Sequence, residues 1–256
     1  MNKFKKSKEI KKIKKIHFML FFIAFIIFIF LSFQNEEDIL KKLDENVTFE
    51  SIHYTGTLEI IRNNNKIIKT FECWAKNDLF LIIFKNPEDN GVKYLKKDGN
   101  LYVYFPSADD VLTISKSMMK QGFMGSDISN EDITRNRKLL DDYSIVSFNK
   151  IIEKDNIFYE LTLQAKTKDV PYFMQKLIIN SDFVAIKTEQ YDLAKRLVKT
   201  IIVDEIKKFG SRYYPVKVTI QDGIKTSYKT IFSITDVSFN IPIDPKIFTI
   251  QNLYNK

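Results

Sequence analysis

Cysteine is almost missing from this chain: Cys73 stands alone among 256 residues. One thiol cannot form an intrachain disulfide, so packing alone must hold the fold. Histidine is nearly as scarce, with only His17 and His53. Zinc sites built from His and Cys, and Ser–His–Asp triads, therefore have little material. The seven glycines are scattered; the nearest pair, Gly122 and Gly125, lacks the following lysine and serine of a phosphate loop. Carboxylates do occur side by side, at Asp109–Asp110, Glu131–Asp132 and Asp141–Asp142. Neighbours in a strand point to opposite faces, which separates such pairs for acid–base work. No alternating oxygen-ligand loop of the calcium-binding kind is present. The residues thus name no catalytic group, metal or cofactor, and they argue against an enzyme. Cys73, in an alternating segment, reads as a small buried hydrophobe.

What the chain has in excess lies at its start. Eight lysines crowd Lys3 to Lys15, opposed only by Glu9, and Ile16 to Phe33 is almost wholly apolar. A positive segment followed by an apolar one is an export signal: the lysines stay cytoplasmic while the apolar stretch enters the bilayer. Residues 1–33 hold +7 of the formal net charge of +8. The basic pI near 9.2 therefore belongs to targeting and not to nucleic acid. Ile16–Phe33 is long enough to cross the hydrocarbon and lacks a clear small-residue cleavage site. A retained transmembrane helix and a cleaved signal peptide both fit. Either reading sends residues 34–256 to the periplasm, with anchorage to the inner membrane by residues 16–33 as the retained form.

The exported part reads as one domain. After a short helix, Glu36 to Leu43, the hydrophobic period changes from 3.6 to 2. From Ile52, Tyr54, Gly56, Leu58 and Ile60 face one way. Alternating or apolar segments then recur at Ile67–Ala75, Leu79–Phe84, Val92–Leu95, Leu101–Phe105 and Val111–Ile114. The carboxyl half repeats the pattern at Tyr143–Ile152, Ile157–Gln164, Gln175–Asn180, Val184–Tyr191, Leu197–Phe209, Val216–Gln221 and Lys229–Asn240. Turn-forming clusters such as Lys97-Asp98-Gly99-Asn100 and Gln221-Asp222-Gly223 separate several of them. About eleven short strands in series predict an antiparallel meander. Two of them, Leu79–Phe84 and Leu101–Phe105, are apolar on both faces, although one face of a solvated meander should be polar. Something must cover the second face, or it lines a cavity.

The strand period breaks between Ser115 and Ile133, where Met118, Met119, Phe123 and Met124 cluster around Gly122 and Gly125. Methionine adapts to irregular apolar partners, so the segment reads as a seal on the core or as a lid over an apolar concavity. Ser129 and Asp132 have the spacing of an N-cap and its N3 carboxylate. They open a short helix from Glu131 toward Leu140.

Several of these residues carry a resemblance. Met118-Met119, then Met124-Gly125-Ser126-Asp127-Ile128 and Glu131-Asp132-Ile133, with Tyr104-Phe105-Pro106 before them, resemble the outer-membrane lipoprotein-sorting proteins of the LolA-like superfamily. The match is to a branch with a "GSD…ED" signature. Arg212-Tyr213-Tyr214-Pro215 and the closing Ile243-Asp244-Pro245-Lys246-Ile247-Phe248 also look like that branch. Asn130 departs from it, since an aromatic is common there. The resemblance implies a strongly curved antiparallel sheet, an incomplete or half-barrel, with helices covering the concave apolar face. It also implies binding of lipoprotein acyl chains or other lipids, and inner-membrane lipoprotein-release or lipid-transport machinery as a partner.

The expected function is a periplasmic carrier that moves such chains toward the outer membrane. The alternative is a membrane-tethered envelope scaffold or lipid-sensing module without carrier activity. The groove and lid are expected at Met118, Met119, Phe123, Met124, Trp74, Phe80, Ile82, Phe84, Tyr102 and Tyr104. The signature residues are Gly125, Ser126, Asp127, Glu131 and Asp132.

Overall fold

The computed structural model describes residues 36–63, 65–225 and 227–255. The leader expected at residues 1–33 lies outside them. Among the described residues no helix is long and apolar enough to cross a membrane; the transmembrane helix expected at residues 16–33 lies outside them. The chain divides into two compact units, Met1–Leu40 and Lys41–Lys256. Of the first, residues 36–40 are helical. The second opens with helical residues 41–47, here α1, and is otherwise a β-structure.

Thirteen strands form one antiparallel sheet. β1 (Ser51–Arg62), β2 (Asn65–Lys76), β3 (Leu79–Phe84), β4 (Lys93–Lys97), β5 (Asn100–Phe105) and β6 (Asp110–Ile114) make a first meander. β7 (Tyr143–Glu153), β8 (Asn156–Ala165), β9 (Met174–Ile179), β10 (Ala185–Tyr191), β11 (Leu197–Phe209), β12 (Arg212–Asp222) and β13 (Tyr228–Phe239) make a second. The two join through β1 and β13, with Leu58 opposite Phe232 and Ile60 opposite Thr230. This places β6 at one edge and β7 at the other.

The strongly curved incomplete barrel of about eleven strands is thus corrected. The sheet is open, is not strongly curled and does not close into a barrel. Each strand falls on an alternating or apolar segment of the sequence, and taken one by one these segments number thirteen and not eleven. The helical cover is corrected as well. Among the described residues of this unit, helix beyond α1 amounts to α2 (Asn130–Ile133), α3 (Leu139–Asp142), α4 (Ile250–Leu253) and four 3-10 turns.

Residues 115–142 connect edge β6 to edge β7 and cross one face of the sheet. They cannot run as a continuous helix, because Met124 and Gly125 take positive φ of 51° and 80°. α2 stops early as well, well short of Leu140. Asn136 leaves the helical path to exchange hydrogen bonds with the backbone of Phe49, donating to its carbonyl at 2.8 Å and accepting from its N–H at 3.2 Å. α3 is then started by Asp44 of α1, whose carboxylate accepts from Leu139 N at 2.7 Å and Leu140 N at 3.1 Å. Asp44 is buried by this docking, and burial raises its carboxyl above the usual range.

The apolar alternation of β1 to β5 now has its cover on both sides. On the face crossed by the connection, Phe71, Phe80, Ile82, Phe84, Tyr94 and Phe123 belong to the main core. Gly56 is required there: a Cβ would stand 2.4 Å from the Phe71 ring, which lies across β1. On the other face Leu81, Leu95 and Tyr104 pack under Ile243, Phe248 and Leu253 of the carboxyl-terminal segment. Lys93 rises from β4 to hold that segment, its Nζ donating to the carbonyls of Leu253 (3.0 Å) and Asn255. These bonds cap the carboxyl end of α4, the end where helix carbonyls attract a cation.

Candidate functional site

Beneath the crossing connection lies an apolar cleft of about 250 Å³. Its floor comes from side chains that share one face of adjacent strands. Register sets Ile201 of β11 opposite Ile220 of β12, and Val218 of β12 opposite Phe232 of β13. Ile234 and Tyr54 continue the floor, Phe49 and Phe80 line one side, and Ile128 and Ile133 form the roof. The period of two puts these β-branched and aromatic side chains together, as each strand alternates inward and outward.

The Gly-Ser-Asp run fastens the roof. Arg62, at the end of β1, donates to Asp127 Oδ2 at 2.8 Å and to Gly125 O at 2.7 Å. Thr230 of β13, fully buried, accepts from Asp127 N at 2.9 Å and donates to Asp127 Oδ2 at 2.7 Å. Ser126 Oγ accepts from Ile128 N at 3.2 Å within the turn. These residues are pegs that hold the connection over the junction of the two meanders.

Glu131 and Asp132 continue the fastening. The capping box is complete: Asp132 N donates to Ser129 Oγ at 3.0 Å, and Ser129 N to Asp132 Oδ2 at 3.4 Å. The same carboxylate accepts from Lys199 Nζ at 2.6 Å and Tyr172 OH at 2.7 Å. Burial alone would raise the Asp132 carboxyl. Lys199, Tyr172 and Ser129 together hold it below the usual range instead. Burial and the adjacent Asp132 push the Tyr172 hydroxyl far up, which keeps it a donor. Glu131 is 3.8 Å from Arg135, whose guanidinium also meets Asp142. Asn130 makes the junction polar where an aromatic is usual in the resembled branch, donating to Met118 O at 3.0 Å.

Lys199 also lines a second, more polar hollow of about 440 Å³ on the far side of the roof, with Ser126, Asp127, Glu131 and Tyr172. Ser126, Asp127 and Glu131 line the polar hollow and Asp132 the apolar cleft, while Lys199 lines both.

The expected groove residues divide among three places. Phe80 lines the cleft, as does Asp132, expected only as a signature residue. Phe123, Ile82 and Phe84 are fully buried in the core beside it. Phe123 meets the Tyr94 ring at 4.8 Å and the Phe84 ring at 5.5 Å. Met119 and Met124 pack against that core, Tyr94 donating to Met124 Sδ at 3.1 Å, while Met118 is 38% exposed. Trp74, Tyr102 and Tyr104 lie on the opposite face, with the carboxyl-terminal segment. There Trp74 stacks on His53, which pairs with Glu72 at 2.8 Å, and Tyr104 donates to Asp109 at 2.9 Å. Cys73 is fully buried, and burial pushes its thiol up to about 12. Among the described residues no cluster of three or more His, Cys, Asp or Glu is placed to hold a metal ion.

Sequence reasoning missed the cleft's second half: Gln190, Lys199, Ile201, Tyr214, Val218, Ile220, Phe232 and Ile234. Their signal was the alternation of β10 to β13, which names the faces without saying which one the connection covers.

A family model described as "-like: Uncharacterized protein" matches residues 76–255. No curated protein matches the chain in sequence. Among solved structures, a DUF1329 family protein from Desulfovibrio piger superposes with a TM-score of 0.75 at 23% identity, covering 84% of this chain and 96% of that one. A LolA superfamily protein from Nitrosomonas europaea gives a TM-score of 0.71 at 22% identity, covering 84% and 98%. A domain from Vibrio parahaemolyticus, described as an outer membrane lipoprotein-sorting protein domain, gives 0.71 at 17%, covering 84% and 95%. This chain shares its fold with these three structures.

Proposed function

The chain belongs to the family described as "-like: Uncharacterized protein", and from its fold and its cleft we propose that it is a periplasmic carrier of lipoprotein acyl chains or other lipids. The activity is binding and not bond-making. The observation that carries the reading is the apolar cleft between the β11–β13 floor and the pegged connection. A chain entering it would gain about 0.8 kcal/mol for each CH₂ buried. Release then requires an acceptor that buries the chain about as well. Inner-membrane lipoprotein-release or lipid-transport machinery is the partner this activity needs as donor.

We place the GSD…ED residues as the fixed hinge of the roof, with Met118, Met119 and Met124 as its adaptable edge. Phe123, central to the core, is not a residue on which to test uptake, because a charge there would unfold the domain. Ile201, on the cleft floor, is. The test is native mass spectrometry and lipid extraction on the full chain, with titration of a fluorescent fatty-acyl probe. Bound lipid and saturable probe uptake are expected, with Ile201→Trp losing uptake by about tenfold or more while its melting transition stays cooperative. A lipid-free mass with no probe uptake would refute the carrier.

A further inference from the structure

In an antiparallel meander, alternate connections fall at the same end, which brings together those after β8, β10 and β12. Two hollows tie them to one another. Lys120, Pro171 and Asp192 line both the polar hollow, with Ile224, and a neighbouring one of about 480 Å³, with Leu193. Leu193 and Ile224 are 70% and 75% exposed, the highest values of any large apolar side chain among the described residues. Exposed apolar residues are ordinary when scattered singly. These two share their surroundings with a gathering of cations. Lys120, Lys166, Lys168 and Arg196 line the hollow beside Leu193 against the one carboxylate of Asp192, which Arg196 already pairs at 2.7 Å. Lys166 is held in place by donating to Leu140 O at 2.6 Å. Two further carboxylates stand near: Asp169 is exposed, and Asp222 accepts from the N–H groups of Ile224 and Lys225 at 2.8 and 2.6 Å. Lys195 and Lys225, next to the apolar tips, offset them. Residues 34–256 carry only +1 in all, so this local excess is not the average of the surface.

We propose that this end of the sheet docks on the surface of an anionic phospholipid bilayer, with Leu193 and Ile224 entering the acyl boundary and Lys120, Lys168 and Arg196 meeting lipid phosphates. Apolar tips set among cations are what interfacial binding requires: burial of the tips and attraction of the basic groups act together. Two side chains are too little apolar area for the core of a protein interface, whereas a fluid bilayer takes protruding tips without matching their shape. Lys199 lines both the adjoining polar hollow and the cleft, so docking by these turns sets that end of the cleft nearest the lipid. The inference goes beyond the carrier reading and does not depend on it.

The experiment places an environment-sensitive fluorophore on the full chain at Leu193→Cys or at Ile224→Cys, with Ile152→Cys as the control. Cys73 is fully buried, its thiol pushed up to about 12, so it does not compete for the label. Ile152 is 66% exposed beside Glu153 and near the β7–β8 turn, at the opposite end of β8 from Lys166. Vesicles are phosphatidylcholine alone or with about one-third phosphatidylglycerol. Emission from residues 193 and 224 should move to the blue on the anionic vesicles only and return at high salt, which screens exposed charges. The control should not move. Lys120→Gln combined with Lys168→Gln should lower the ratio of docked to undocked chain by about tenfold or more, each cation near such a surface being worth about fivefold. Every protein carries residues 1–33, so differences between label positions report this end and not the leader. No shift at either tip, an equal shift at residue 152, an equal shift on phosphatidylcholine alone, or docking unaltered by the paired substitutions would overturn the proposal. None of these outcomes touches the carrier, which stands or falls on its own probe titration.

Discussion

Asp132 holds together more than its size suggests. One carboxylate completes the capping box of α2, binds Lys199 of β11 and accepts from Tyr172. Its pKa is held below the ordinary aspartate value of 3.8, so the unfolded chain takes up the proton at higher pH than the folded one. The stability it contributes is therefore present above 3.8 and is lost as pH falls through the lower folded value. Replacing it by Asn should cost about 1.5–3 kcal/mol near neutral pH, the range for hydrogen bonds to a charged group. The wild-type and Asp132→Asn unfolding curves should converge in strongly acidic solution. A difference that persisted there would mean that the side chain acts through its shape and not its charge. The sequence offered the spacing Ser129-x-x-Asp132, and that part of the residue's work was readable. Its partnership with Lys199 was not, because 67 positions separate them and only the sheet brings them together.

The connection from β6 to β7 shows the same division between local and distant information. Its departure from strand period is plain in the sequence, as are its methionines and its cap. Its path is set by residues outside it: Arg62, Thr230 and Asn136's partner Phe49. The helix expected from Glu131 toward Leu140 splits in two for that reason. Thr230→Val tests the fastening, since it keeps the shape and removes a hydroxyl that both accepts from and donates to Asp127. A loss of about 1–3 kcal/mol is expected, with an Asp127 left short of a buried partner. Limited proteolysis should then cut within residues 115–142 faster than in the wild type. Unchanged cleavage would show that Arg62 alone suffices to hold the connection.

Across the whole molecule, the two-sided apolar strands were the clearest anomaly in the sequence, and their resolution lies in the chain's last residues. Alternation located the strands well. It could not say that Trp74, Tyr102 and Tyr104 turn toward the carboxyl-terminal segment while Phe80, Ile82 and Phe84 turn toward the connection. Lys93 fixes that segment from a nearly dry position, and burial lowers its pKa below the usual lysine value. Lys93→Met should release the cap on α4. Hydrogen exchange is expected to rise across residues 241–255 and in the outward side of β3 and β4, with the cleft side unchanged. Equal exchange in both proteins would assign the docking to Phe248 and Leu253 alone.

The pairing of β1 with β13 also dictates an order of assembly. A chain emerging from its amino end can build the first meander and then most of the second, yet no strand pairing joins the two until Tyr228–Phe239 arrives. The final stretch, Ile241–Leu253, must follow before the outward side of β3 and β4 is dry. Contacts so distant in sequence form slowly. A polypeptide with this topology stays pliable until its thirteenth strand is available, and the sheet then becomes rigid as a unit and not strand by strand.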